Sequence, residues 1–404
     1  MSGSAIELLD LVARWIHVIA SIMWVGNSLL FNWLDRSLVS AHTAGQTPKP
    51  IGTIWLLHSG GFYYVEKTLL EGDRMPAPLH WFKWQAYTTW LSGAALLIIV
   101  YYAGGRAVMT NPSASGLSHV EASALGIGAI VAGWLLYEVM QRFVASRAPA
   151  AAGAMWLAGF VAISIGLTQL LDGRAAFIHV GAMLATIMAG NVALTIVPSQ
   201  RELVASVREV RGADAIVSGR AKRVSVFNNY FTFPVIILMV SSHFPAVYGH
   251  RWNWLLLLLL VAVGATVRYV LNLRWTLEAW KPALAATIVA GVALLFAIMR
   301  PGATNPAPTA DASTVTVTFE DARHIIDRRC AVCHSARPTD LSFGVAPGGV
   351  NFDTREQIEA RSARILERAV VTRTMPPANK TNVTDAERAL LGRWARNVSV
   401  TRNR

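Results

Sequence analysis

Eight stretches of this chain are apolar over close to the ~20 residues that a helix needs to cross a hydrocarbon core, and nothing else in the sequence constrains its fold as tightly. They cover 8–31, 81–102, 119–140, 151–171, 175–197, 231–244, 252–271 and 283–299; the sixth is the shortest and carries Pro234. In lipid a single segment can satisfy its own backbone hydrogen bonds only as a helix. The expected fold class is therefore all-α, a polytopic membrane bundle of about eight transmembrane helices. Composition agrees, because 53% of the residues are hydrophobic and only 15% are charged, too few to cover an ordinary soluble globule.

Short loops rich in Lys and Arg stay in the cytoplasm. The loop after the first stretch carries Arg36, Lys49, Lys67 and Arg74. The third-to-fourth connection has Arg142 and Arg147, and the fifth-to-sixth has Arg201, Arg208, Arg211, Arg220, Lys222 and Arg223. The intervening loops hold only Arg106, Arg174 and Arg251. With an even number of spans, this bias places both termini outside the cytoplasm of a bacterial inner membrane, in the periplasm. The net charge of +12 then reads as a topology signal, and nucleic acid is not an expected partner. The first apolar stretch is long enough to remain as a span, so no cleavable signal is expected.

Past residue 299 the composition turns to Arg-Pro-Gly-Ala-Thr-Asn-Pro-Ala-Pro-Thr, which suits a semi-rigid tether. The division is 1–299 for a transmembrane catalytic domain, 300–318 for the Pro-rich linker and 319–404 for a small soluble domain. That domain carries Cys330-Ala-Val-Cys333-His334, with the only two cysteines of the chain. The C-x-x-C-H pattern is that of covalent haem c attachment: two thiols three positions apart reach two vinyl groups of one porphyrin, and the adjacent histidine lies under the iron. A disulfide or a zinc pair is the plainer reading of two cysteines. The second axial ligand should be a thioether, and Met375, in Thr374-Met375-Pro376-Pro377, is the only methionine of the domain. Thr384 and Glu387 form a capping box that starts a terminal helix through Trp394.

Polar groups inside the membrane carry information because they are expensive there. The first helix has His17 about three turns before Gly26-Asn27, and the fifth has His179 before Gly190-Asn191, with spacings that differ by two residues. This suggests a duplicated four-helix unit, four plus four, in parallel. His17, His179 and His243 fall in the outer halves of their helices. Two imidazoles facing across a bundle core are the usual grip on a haem b, so a second, non-covalent haem is expected, with copper as the alternative and His17 with His179 as the first pair. Any one of these histidines read alone is as well explained by a hydrogen bond to a neighbouring helix. The long first loop holds Trp55-Leu-Leu-His58-Ser-Gly-Gly-Phe-Tyr-Tyr-Val-Glu-Lys67 and then His80-Trp81-Phe82-Lys83-Trp84. Glycines, aromatic faces and a lysine suit a flat anionic heterocycle, against an interfacial aromatic belt as the plainer reading.

With Asn228-Asn229-Tyr230-Phe231-Thr232-Phe233-Pro234 and Ser242-His243-Phe244-Pro245, these segments resemble the membrane-bound, cytochrome-c-fused urate hydroxylases of bacterial purine catabolism. The resemblance runs over nearly the full length. It implies two-electron oxidation of urate toward 5-hydroxyisourate, with electrons leaving through the covalent haem to an external cytochrome c or a terminal oxidase. Urate is a near-planar monoanion, so such a site needs a cation, stacking surface and a base. Lys67 would serve the charge, His58 or His80 the proton, and Asn27 and Asn191 the amide edges. An inner substrate site lies a full ~30 Å of hydrocarbon from an outer haem, which favours an intermediate redox centre. Two rivals differ in class: a quinol-oxidising electron-transfer subunit, which should ignore urate, and a transporter with an appended cytochrome, which should move solute without haem reduction.

Overall fold

A computed structural model describes residues 3–39, 50–68, 70, 75–103, 109–110, 115–211, 214–299, 317–340, 346–376, 379 and 381–402. Residues 300–316 of the expected linker, and the charges of Lys49, Arg74 and Arg106, lie outside them.

Among the described residues, eight long helices precede residue 300. They are α1 (Gly3–Ser37), α2 (Lys83–Leu96, continued by a π turn, Leu97–Tyr102), α3 (His119–Val139, with a π turn at Met140–Val144), α4 (Pro149–Leu170), α5 (Gly173–Asn191), α6 (Ala215–Ser241), α7 (Asn253–Asn272) and α8 (Trp280–Met299). The fifth runs on through a π turn (Val192–Ile196) into Val197–Arg208. Seven of the eight are long and apolar enough to cross a membrane, as a multi-pass membrane protein requires. The exception is α2, which carries Gln85, Thr89 and Ser92.

The starts are written in the sequence. Ser118 and Glu121 cap α3 reciprocally, Asp172 accepts from the Arg174 amide at the head of α5, and Asp214 accepts from Ile216 and Val217 at the head of α6. The sixth helix corrects the sequence reading. It begins near residue 215, far before the expected 231, and runs through Pro234. Arg220, Lys222 and Arg223 therefore stand on a helix, not in a loop, because Asp214 caps it earlier than apolarity alone indicates. The core is centred on α5, where Phe177, Val180 and Leu184 are fully buried and pack with Tyr137 of α3, Trp156 and Phe160 of α4 and Leu257 of α7. Helices α1 and α8 are peripheral and leave most of their apolar side chains uncovered, as lipid-facing helices do.

Among the described residues the all-α expectation has one exception. The first loop folds as an antiparallel hairpin, β1 (Pro50–His58) with β2 (Gly61–Thr68). Ser59 and Gly60 both take positive φ, 50° and 77°, the two-residue turn that matches strand twist, and His58 pairs with Gly61. Aromatic and β-branched residues on either side favour the pleat.

The C-terminal unit has α9 (Phe319–Arg329), α10 (Arg355–Ala360), α11 (Ser362–Ile365, extended by Leu366–Val371) and α12 (Asp385–Arg402). They enclose a separate core of Ala322, Ile326, Phe352, Ile358, Leu391 and Trp394. The Thr384–Glu387 capping box forms as expected, and the helix it starts runs past Trp394.

Candidate functional site

The three histidines expected within the bundle take up distinct settings. His179 on α5 is fully buried. Its Nδ1 lies 2.7 Å from the Ala175 carbonyl, which can only accept, so Nδ1 carries the proton. Nε2 is then the lone-pair nitrogen and accepts from the Tyr102 hydroxyl at 3.0 Å. The π turn at the end of α2 brings Tyr102 there, and such turns recur at functional positions. His17 on α1 donates from Nδ1 to the Thr89 carbonyl of α2 at 3.0 Å, which leaves its Nε2 lone pair unprotonated. Both rings lie against glycine. A Cβ on Gly93 would stand 3.0 Å from His17 Cε1, and one on Gly126 would stand 2.5 Å from His179 Nε2. His243 is exposed in the turn that follows α6. Among the described residues no three His, Cys, Asp or Glu side chains converge as a metal-ion site.

His119 was missed by sequence reasoning, where it marks only a helix start. Its Nε2 donates to the Tyr102 carbonyl at 2.7 Å, and its Nδ1 is buried without a hydrogen-bond partner among the described residues. Tyr102 thus joins two histidines, one through its hydroxyl and one through its backbone.

A second set of polar groups is built on asparagines. Asn27 donates to Gln85 of α2. Asn191 donates to the Tyr137 hydroxyl at 3.0 Å and to Asn228 Oδ1 at 2.9 Å, and Asn228 in turn donates to the Met188 carbonyl. The next residue, Asn229, accepts from Arg268 Nε at 3.0 Å and from Asn272 at 2.9 Å, and Asn272 accepts from Asn32. This belt ties α3, α5, α6, α7 and α1. Asn27 and Asn191 are equivalent in that each bonds the helix that follows its own, whereas His17 and His179 reach different neighbours. Asn228, Asn229, Arg268 and Asn272 were not singled out as site residues. An arginine inside the apolar run of α7 was the available signal.

The hairpin residues do not join this set. His58 closes β1, exposed at the turn, while Lys67 is paired with Asp35 of α1 at 2.6 Å. His80 packs edge-on to Phe82, which packs in turn on Phe31. Neither of the two cavities described below includes His58, Lys67 or His80.

In the C-terminal unit the four expected residues do come together. Cys330, Cys333, His334 and Met375 line one cavity with Val350, Phe352, Ile365 and Leu391, and Arg361, Arg364 and Arg368 also line it. The cysteines are not joined in a disulfide, and burial pushes the Cys330 thiol up to about 12. His334 donates from Nδ1 to the Val350 carbonyl at 3.0 Å, which aims a neutral Nε2 into the cavity, and burial holds the imidazole below its usual range. The Met375 segment is held from behind. Arg388 of α12, itself buried, donates to the Met375 carbonyl at 2.9 Å, to Asn379 at 2.9 Å and to the Ala369 carbonyl. A thiol pair, a neutral imidazole, a thioether, apolar walls and three guanidiniums are the donor set that a flat macrocycle with acidic edges requires.

A bundle of apolar helices with an ordered polar belt, followed by a small helical unit with a sulfur- and imidazole-lined cavity, defines a multi-pass membrane protein with an appended helical unit. The family model described as urate oxidase N-terminal matches residues 3–300. The chain belongs to that family. No curated protein and no solved structure matches it. The family match covers the membrane portion and stops before the C-terminal unit.

Proposed function

We propose that the membrane domain oxidises urate to 5-hydroxyisourate and that the C-terminal domain is a c-type cytochrome that carries the electrons away. The observation behind this reading is the division of the chain: the urate-family match ends at residue 300, and the thiol, imidazole and thioether donors gather in one cavity beyond it. The reaction adds the elements of water across C5 of urate and releases two electrons and two protons. Cys330 and Cys333 would hold a covalent haem and His334 and Met375 would ligate its iron, and the group would supply one-electron acceptor chemistry. Val350 holds the His334 tautomer and Arg388 positions the Met375 backbone for that role.

A second haem, of b type, is proposed for the outer half of the bundle, on His17 and His179. Each has Nδ1 committed to a carbonyl; the Nε2 of His17 keeps its lone pair, the state an iron ligand needs, while that of His179 accepts from Tyr102, a bond that iron ligation would replace. The domain faces the periplasm of a bacterial inner membrane in this reading, with an external cytochrome c or a terminal oxidase as acceptor.

The test is anaerobic mixing of the purified full chain with urate, followed in the visible spectrum. Urate should produce the reduced haem c bands within turnover time, and xanthine should not. If dithionite reduces the haem but urate leaves it oxidised, the enzyme reading is wrong; reduction by a quinol alone would point to the electron-transfer subunit.

A further inference from the structure

Arg268 is out of place by the ordinary rules of a membrane helix. It is 6% exposed, on a helix that otherwise reads Leu-Leu-Leu-Leu-Leu-Leu-Val-Ala-Val-Gly, and a guanidinium cannot escape burial by losing its proton. Among the described residues it has no carboxylate partner. Toward the described residues it uses only Nε, in the bond to Asn229 Oδ1. The same oxygen accepts from Asn272, and Asn272 accepts from Asn32. This chain of amides fixes the rear edge of the guanidinium and leaves its terminal nitrogens without an acceptor among the described residues. The guanidinium lines a cavity of about 350 Å³ between α1, α6 and α7, whose other walls include Trp33, Phe233 and Arg274. The Phe233 ring centre is 5.6 Å from the guanidinium carbon.

We infer that this cavity is the binding site of a planar organic anion, with Arg268 as its charge partner and the Trp33 and Phe233 rings as its stacking walls. That the anion is urate rests on the function proposed above. The volume lies within the ~300–1,000 Å³ of small-ligand sites. A fork of N–H donors matches the N–C=O edges of a flat heterocycle, and a buried cation without a counter-charge is completed by an anion. Lys67, the cation expected from the sequence, is exposed and already paired with Asp35. The cavity is also tied to Asn191, since Asn228 and Asn229 are successive residues of one helix.

The full chain in zwitterionic-lipid nanodiscs, under nitrogen, is tested by equilibrium dialysis with radiolabelled urate and, separately, with orotate, a flat monoanion of another ring system. Arg268→Gln should weaken urate binding roughly tenfold to a hundredfold, the loss of a charge-assisted contact. Asn229→Asp should weaken it similarly by giving the guanidinium an internal partner, and this variant keeps the shape of the belt should Arg268→Gln fail to fold. If urate binds the wild type and both folded variants equally, the site is wrong and the proposed function stands. If the wild type ignores urate but takes up orotate in an Arg268-dependent way, the site stands and the urate reading falls. If neither anion binds, or if occupancy follows only added anionic phospholipid, the cavity is a lipid seat and the inference is overturned.

Discussion

A hydrogen atom in place of a methyl group decides where His179 can lie. Because a Cβ on Gly126 would stand 2.5 Å from Nε2 and 2.6 Å from Cδ2, the imidazole occupies space that any other residue on α3 would fill. Gly126→Ala should therefore destabilise the membrane domain by about 1–3 kcal/mol, the usual penalty for overpacking. In a His179→Ala background the same change should lose most of that effect, which denaturant unfolding in detergent can measure as a double-mutant cycle. An unchanged penalty in the second background would mean that the two residues do not share the space described. At this scale the sequence was most legible where chemistry is bound to spacing: Cys330, Cys333, His334 and Met375 meet as their order in the chain implies. It was less legible for Asn191, visible as a polar residue in an apolar run but silent about its partners. Those partners, Tyr137 and Asn228, are 54 and 37 residues away and are chosen by helix crossing, which local sequence does not encode.

Among the elements, α12 shows how a helix end can hold two parts of a unit together. Partial burial pushes the Glu387 carboxyl up, but the Thr384 backbone N–H, Arg329 and Arg328 outweigh it and bring it down to about 2. The bond to Thr384 caps α12, and the two arginines belong to α9, next to the cysteine pair. A carboxyl whose folded value is depressed stabilises the fold fully above its unfolded value near ~4.3 and ceases to do so as pH falls through the folded value. Glu387→Gln should thus cost on the order of 2 kcal/mol at pH 7, with the deficit against wild type fading between about pH 4.5 and pH 2. Hydrogen exchange across α12, corrected for intrinsic rates, reads it out; a deficit that persists at pH 2 would assign the effect to shape instead of charge. The sequence announced this cap, because capping boxes are local. It mistook the extent of α6, whose polar first half is held by Asp214 and by packing, and it gave no strand for the first loop, where a turn of two positive-φ residues decides the matter.

For the molecule as a whole, the proposed division of labour makes catalysis and electron exit separable. A chain ending at Met299 should bind urate as tightly as the full chain but should not reduce added external cytochrome c, measured by dialysis and by visible absorbance. Reduction at the full-chain rate would show that the C-terminal domain is not the exit. The count of eight long helices was within reach of the sequence, since it depends on composition over a whole segment. One of those helices is nonetheless unlike the rest. Helix α2 turns Thr89 and Ser92 toward His17 and Gln85 toward Asn27, and it is not apolar enough to qualify as a span by itself. During synthesis such a segment gains little by leaving water alone. Its insertion should therefore depend on α1, whose histidine and asparagine take up its polar groups, and a chain lacking α1 should leave α2 outside the bilayer.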